Sequence, residues 1–404
     1  MILEDLLKVY PEYRHPYFTL RRFKHAEILP LIEECGFPVQ QVASSYEGRK
    51  IHKITAGTGS RPILLWSQMH GNEATATMAI FDILNYLRKD NSGFAQQLLE
   101  VFTLHFVPVI NPDGAQRFTR RTAQQIDMNR DALALACPES VLLKKLVKEI
   151  KPEFSFNLHD QNVRYAAGLT PNQAAISFLA TAYNEAREWN ETRTKAMQVI
   201  SHLNEGLQKV IPNRVGRFSD EFEPRAFGDN IQKWGSSLIL VESGGNGEDT
   251  EKMKLRELNF AILLSALASI SSNSYQHYQL QDYERIPTNE KCLFDLLIRN
   301  CTLDGTLMDI GVNIDEVNND DATDYTLTST IEDMGDLSTF WGIKEFEANG
   351  AEIETLSGFS EKLTKYKLQE SDFGRLEFEK KANFALVKNQ KPLAFVINGQ
   401  LIEA

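Results

Sequence analysis

Ser67-Gln68-Met69-His70-Gly71-Asn72-Glu73 follows directly on the apolar run Ile63-Leu64-Leu65-Trp66 and leads into a helix-like stretch from Ala74 to Leu87. A buried strand, a polar loop and a helix in that order make one step of an α/β fold. Such folds collect their chemistry at strand ends. The loop carries a His and a Glu three positions apart. His70 offers a neutral nitrogen and Glu73 a carboxylate oxygen, the donor pair of a catalytic zinc site. The pattern predicts a third donor far along the chain and a base near it.

Working outward, residues 1–45 read as largely helical and polar. Ile51 to Ala56 alternates like a strand, and Gly57-Thr58-Gly59 turns. Val101 to Val109 reads as a strand, and Val141 to Ile150 as a helix that stops before Pro152. Phe154 to Leu158 is the next strand, Ser177 to Gly206 reads as largely helical, and Ser237 to Val241 is a strand ending at Glu242. Lys252 to Ile270 is a long apolar-striped helix. Strands alternating with helices predict an α/β domain with a mixed, mostly parallel sheet. Around 272–290 the pattern breaks. Beyond it the signals are strands: Leu293 to Ile298, Tyr325 to Thr330, Gly374 to Phe378, Phe384 to Val387 and Leu393 to Ile397. The expected organisation is a catalytic domain over 1–272 and a small β-rich domain over 285–404.

The chain has 404 residues, 42% of them apolar, enough for a sizeable core without staples. Its net charge of −12 argues against binding a phosphate backbone. Between Arg299 and Lys344 there are ten Asp or Glu and no Lys or Arg. The segment Asp315 to Asp324 lacks the central Gly of the common calcium loop, so it reads as solvated acidic surface. Cys35, Cys137, Cys292 and Cys301 show no metal-type spacing. The residues from Met1 show no basic-then-apolar pattern, and no apolar run reaches a membrane span. These features predict a soluble cytoplasmic protein with reduced thiols and no membrane partner. They leave the oligomeric state open.

His159, at the end of the strand Phe154 to Leu158, is the best third donor. His105 lies inside the run Val101 to Val109 and is assigned to the sheet. Three protein ligands leave one position for water, whose pKa zinc lowers towards about 7. A carboxylate is still needed to move the proton to the leaving group. Glu242, in Leu240-Val241-Glu242-Ser243-Gly244-Gly245, is the candidate, expected to be exposed at the sheet's edge. A third cluster combines Asn111-Pro112-Asp113-Gly114, read as a turn, with Arg117, Arg120, Arg121 and Asp127-Met128-Asn129-Arg130. Arginines beside a metal site suit oxyanion stabilisation and the gripping of a carboxylate. Arg117 and Arg121 read as ordinary surface residues.

These residues carry a resemblance to the M14 zinc carboxypeptidases. His70-x-x-Glu73, Asn111-Pro112-Asp113-Gly114, Asn129-Arg130, His159 and Glu242 match five family motifs in order, and the likeness covers roughly residues 40–270. The resemblance implies a central mixed sheet of about eight strands flanked by helices. It implies one Zn2+ ion held by His70, Glu73 and His159. It also implies hydrolysis of C-terminal amide bonds through a zinc-bound water, with Glu242 as general base. Arg120 aligns best with the oxyanion arginine, with Arg121 one step away, and Asn129 and Arg130 match the pair holding the terminal carboxylate. Digestive members carry a mobile Tyr shortly before the base. The stretch Phe218 to Asp229 has none, so either Tyr165 or another group caps the substrate, or the role is dispensed with. In that stretch Asp229 is a candidate for a cationic side chain or a turn cap, and Arg225 for a second carboxylate. The C-terminal strands resemble those of amidohydrolase β-domains, without a His-x-His pair between them, and imply packing or assembly. The expected substrate is a peptide or peptide-like molecule. The alternatives are an N-acyl amino acid deacylase of the desuccinylase or aspartoacylase type, which shares the His-Gly-Asn-Glu wording, and a non-catalytic peptide-binding protein.

Overall fold

The computed structural model describes residues 2–366 and 368–404 and divides into two compact units. The first comprises 1–163 and 174–289, and the second 164–173 and 290–404.

In the first unit the strands are β1 (Val39–Ser44), β2 (Lys50–Ala56), β3 (Arg61–Trp66), β4 (Phe102–Val107) and β5 (Phe154–Asp160). After β6 (Tyr165–Ala167), which belongs to the second unit, come β7 (Ile176–Leu179), β8 (Val215–Arg217) and β9 (Ser237–Ser243). The eight strands of the first unit form one sheet in the order β1-β2-β4-β3-β5-β9-β7-β8. Its centre, β4-β3-β5-β9, is parallel. The outer ladders β1·β2, β2·β4 and β7·β9 are antiparallel, which makes the sheet mixed.

The α-helices are α1 (Leu3–Tyr13), α2 (His25–Glu33), α3 (Thr75–Lys89), α4 (Phe94–Val101), α5 (Pro112–Arg117), α6 (Pro138–Ile150), α7 (Glu191–Val210), α8 (Phe227–Lys233), α9 (Met253–Ser272) and the short α10 (Leu280–Glu284). Leu64, Trp66, Leu238 and Leu240 form one sheet face and pack with Leu142, Leu143 and Leu146 of α6 and Phe227 and Ile231 of α8. The alternate residues Ile63, Leu65, Ile239 and Val241 are also fully buried, and α3, α7 and α9 pack together on their side. A sheet covered on both faces explains why its central strands are continuous apolar runs. Among the described residues no helix is long and apolar enough to cross a membrane.

Two expectations change here. Residues 1–45 end in the strand β1, not in helix. The stretch from Ser177 opens with β7, and helix α7 starts only at Glu191, where Asn190 accepts from Arg193 N as its cap. Ile176-Ser177-Phe178-Leu179 is too short an apolar run to betray its type by periodicity, and pairing with β9 decides it.

The second unit takes in β10 (Asn289–Lys291) from Glu290 on, paired with β6, then β11 (Leu293–Leu303), β12 (Thr306–Asn318), β13 (Tyr325–Gly335), β14 (Trp341–Glu347), β15 (Glu352–Glu354), β16 (Phe384–Lys388), β17 (Lys391–Ile397) and β18 (Gln400–Glu403). Its sheet runs β13-β12-β11-β15-β16-β17-β18, with β14 also pairing β11. Leu296, Ile298, Ile310, Val312, Phe384, Leu386 and Val396 form its core. Gly374 to Phe378, expected as a strand, pairs with nothing and lies in a loop after the short 3-10 turn Glu370–Phe373. The acidic stretch forms the β12–β13 hairpin, whose Asp315 pairs with Arg164.

Candidate active site

Three strand ends deliver the site. The loop after β3 is tightly folded: Ser67 N donates to Val107 O at 3.2 Å, and Ser67 O accepts from Ile110 N at 3.2 Å. Gln68 takes a left-handed φ of 47°, and its Nε2 donates to Gly71 O at 2.7 Å. A Cβ on Gly71 would lie 2.0 Å from the carbonyl carbon of Gly114, so the position admits no side chain. The segment expected as a turn is thus the wall behind the loop of His70 and Glu73, and it is the first turn of α5, with Pro112 at N1. Asn111 accepts from Gly114 N at 2.9 Å and donates Nδ2 to Met69 O at 3.2 Å. The buried Asp113 accepts from Ser45 Oγ at 2.7 Å, Arg49 Nη1 at 2.7 Å and Glu47 N at 3.0 Å.

His70 Nδ1 lies 2.7 Å from Glu73 Oε1, and His159 Nδ1 lies 2.7 Å from Glu73 Oε2. The donor atoms of the three residues fall within 4.8 Å of one another, and all three side chains are buried. Among the described residues no other cluster of three such donors occurs. Burial alone would favour neutral groups here. For His70, Glu73 and Asp127 outweigh it and raise the pKa. For Glu73, His70 and His159 outweigh it and hold the carboxylate ionised. Two inward nitrogens and one ionised carboxylate, converging and shielded from water, fit a zinc ion, which takes such donors at about 2.0–2.2 Å.

Asp127, near Asn129 in sequence, is a further residue at the cluster. Its Oδ1 lies 3.1 Å from His70 Nε2, fixing the ring that aims Nδ1 at the cluster. Its Oδ2 accepts from Arg120 Nε at 3.2 Å and Nη2 at 2.9 Å. So held, Arg120 brings Nη1 to 3.3 Å from Glu73 Oε1 and 3.2 Å from His70 Nδ1. Arg121 donates instead to Gln125 O at 2.9 Å, and Arg117 pairs with Glu47. The position of Asp127, two residues before Asn129, was the available signal.

Glu242 is not at an exposed sheet edge. It lies in β9, an interior strand, directly opposite His159 on β5 and Ser177 on β7. It is half-buried, and its Oε2 is enclosed without a protein partner. Burial pushes its pKa up to about 8; His159 opposes the rise, and Glu73 and Asp160 add to it.

The third group surrounds α8. Asn129 Oδ1 accepts from Phe227 N at 3.0 Å. Arg130 donates Nη1 to Asn129 O at 2.7 Å and sets Nε 3.4 Å from Glu223 Oε2. Arg225 grips the same Glu223 with a fork, Nε to Oε1 at 3.0 Å and Nη2 to Oε2 at 2.8 Å. Arg225 first, then Arg130, holds the Glu223 carboxyl down at about 2. Asp229 is buried in the first turn of α8, where its Oδ1 accepts from Glu223 N at 3.2 Å, and burial raises its pKa to about 7. Glu223 is not among the residues expected at the site, although it stands two residues before Arg225. His105 sits within β4, with ring nitrogen 3.4 Å from Thr55 Oγ1, and Tyr165 belongs to the second unit.

Residues 37–138 match the family model described as zinc carboxypeptidase. The chain is thus similar to the zinc carboxypeptidases over that segment. It is 25% identical over 252 residues to carboxypeptidase 2 of Trichophyton rubrum, a match covering 59% of this chain and 40% of that protein. The chain therefore spans well under two thirds of the length of the fungal relatives it matches. Among solved structures, bovine thrombin-activatable fibrinolysis inhibitor, in complex with tick carboxypeptidase inhibitor, aligns with a TM-score of 0.52 at 14% identity, over 66% of this chain and all (100%) of that one. Carboxypeptidase A of Helicoverpa armigera aligns at 0.51 and 13% identity, over 67% of this chain and 80% of that one. At these identities the structural likeness speaks to the fold.

Proposed function

We propose that this chain is a zinc-dependent metallocarboxypeptidase that hydrolyses the C-terminal amide bond of peptides. One observation carries the proposal: His70, Glu73 and His159 converge on one point, with Glu242 opposite His159 on the next strand. His70, Glu73 and His159 would hold one zinc ion. When bound, that ion polarises the scissile carbonyl and makes water nucleophilic near neutral pH.

The protein's own groups do the rest. Glu242 takes the proton of the attacking water on its carboxylate and passes it to the leaving amine, and a raised pKa suits both transfers. Arg120, steadied by its fork on Asp127, donates to the oxygen on which charge develops. Arg130, with the Nδ2 of Asn129, takes the substrate's terminal carboxylate, which replaces Glu223 on the guanidinium. Arg225 and Asp229 flank the terminal residue's side chain. Proton transfer through Glu242 needs no tyrosine.

The match of residues 37–138 to the zinc carboxypeptidase model, and the likeness to fungal carboxypeptidases, favour the peptidase over the N-acyl amino acid deacylase. A cytoplasmic setting accords with four buried, unpaired cysteines, Cys35, Cys137, Cys292 and Cys301. The test is a competition assay on zinc-loaded protein, read by mass spectrometry. The mixture holds short peptides with varied C-terminal residues and N-acyl amino acids, beside a Glu242→Ala control. Loss of single C-terminal residues, absent in the control, is the expected outcome. Cleavage of only the acyl amino acids would make it a deacylase, and retained zinc without turnover a binding protein.

A further inference from the structure

Directly behind the candidate site lies a buried ion pair that the proposed chemistry does not use. Asp160 follows His159 in β5, and Lys252 stands at the N-cap of α9. Lys252 Nζ lies 3.5 Å from Asp160 Oδ2, with the two side chains only 8% and 7% exposed. The pair touches three backbone segments at once. Lys252 Nζ donates to Ser243 O at 2.9 Å, the carbonyl immediately after Glu242. Asp160 Oδ2 accepts from Thr75 Oγ1 at 2.7 Å, two residues after Glu73. Asp160 N donates to Glu73 Oε2 at 3.2 Å. Ser243 is held from its other side, its Oγ accepting from Asn259 Nδ2 of α9 at 2.7 Å.

This arrangement is costly. Two charges are taken out of water, and Lys252 adopts a left-handed φ of 55°, uncommon for a residue with a side chain. A buried ion pair is weak evidence of stabilisation, because apolar replacement is often neutral or better. The placement explains what stability does not. Each of Glu73, His159 and Glu242 has a member of this network within two residues along the chain.

We propose that Asp160 and Lys252 are positioning residues that fix the distance between the metal donors Glu73 and His159 and the base Glu242. They touch no substrate. The inference rests on the carboxypeptidase reading for the identity of what is positioned. Without the pair, the ends of β5 and β9 and the start of α3 lose their common tie, and the base drifts relative to the donors. Misplacement on the ångström scale is enough to slow a reaction about 100-fold.

The test compares wild type, Lys252→Met and the charge-balanced Lys252→Met/Asp160→Asn protein. Three readouts are taken: zinc affinity by chelator competition, melting temperature of the zinc-free protein, and kcat and KM for peptide hydrolysis. Lys252→Met strands a buried carboxylate and lowers the melting temperature. The double variant regains most of that stability, yet its kcat stays at least about tenfold down, with KM within about twofold, and its zinc affinity stays roughly tenfold or more weaker. A double variant with wild-type kcat and zinc affinity would overturn the inference, since the pair would then serve charge balance alone. If the single variant does not fold, the double variant decides by itself. Wild-type protein that binds no zinc would overturn the carboxypeptidase reading and this inference with it; zinc-binding wild type beside an unimpaired double variant overturns this inference alone.

Discussion

His159 and Glu242 stand opposite each other on adjacent parallel strands, so the proposed metal donor and the proposed base are set by one backbone register. The consequence is a defined pH dependence. Glu242 must be ionised to accept a proton, and its pKa in the metal-free protein is raised to about 8, chiefly by burial. Activity therefore rises as pH climbs through the Glu242 pKa. A bound cation favours the carboxylate, so the acid limb of kcat/KM falls below 8 in the zinc-loaded protein and moves with metal identity. A pH profile recorded with zinc and with cobalt checks this. Glu242→Gln should abolish turnover at every pH while leaving zinc bound.

Asp127 holds His70 through Nε2 and Arg120 through a fork, so one substitution acts on two functions. Asp127→Ala should weaken zinc binding by roughly 10–100-fold, as loss of a ligand's outer partner generally does. Chelator competition measures it. Asp127→Asn keeps an acceptor for His70 and should lose less zinc affinity than the alanine variant.

Arg120 is aimed at the cluster, while Arg121 donates to a backbone carbonyl in its own loop. Removing an oxyanion donor costs about 10²–10³ in kcat. Arg120→Ala should show that loss with KM little changed, and Arg121→Ala should leave both constants near wild type. Steady-state kinetics on one peptide separate the two residues.

Glu223 occupies the guanidinium of Arg130 that the substrate's terminal carboxylate is proposed to take. Glu223→Gln removes an internal competitor, so KM should fall with kcat unchanged. Arg130→Ala should raise KM and weaken inhibition by C-terminal carboxylate products. An unchanged KM in both variants would place the carboxylate site elsewhere.

Stability has its own test in Arg256 and Asp82, which join α9 to α3 through two bonds, Nε to Oδ2 at 2.7 Å and Nη2 to Oδ1 at 2.6 Å, with neither side chain exposed. Asp82 also accepts from His15 N at 2.7 Å. Arg256→Met leaves that carboxylate buried and uncompensated, and should cost about 3–5 kcal/mol in chemical denaturation. Arg256→Met with Asp82→Asn should recover part of it.

The chain's central strands were legible because burial on both faces writes them as apolar runs, as in Ile63 to Trp66. The convergence of His70, Glu73 and His159 was legible because His159 directly follows such a run, and His70 and Glu73 share the loop after another. What escaped reading depends on contacts distant in sequence. β7 is four residues long and is defined by its neighbour β9. Gly374 to Phe378 alternates like a strand but has no neighbour to pair with. Glu242 was expected in the open because it ends an apolar run, yet the sheet order places β9 between β5 and β7. The partners of Asp127 and Glu223, which proximity alone hinted at, and the Asp160–Lys252 pair escaped reading because a carboxylate's partner is known only when the chain has folded. The Asn111 to Gly114 motif was recognised, but its work, bracing Gly71, lies in backbone contacts that no side-chain reading reveals.

The most direct test is a zinc titration of chelator-stripped protein, following release of C-terminal residues from a peptide. The expected result is no release without metal and full activity at one equivalent of zinc, with His159→Ala inactive at the same metal level. Release by the stripped protein, or turnover by His159→Ala equal to wild type, would contradict a catalytic zinc held by His70, Glu73 and His159.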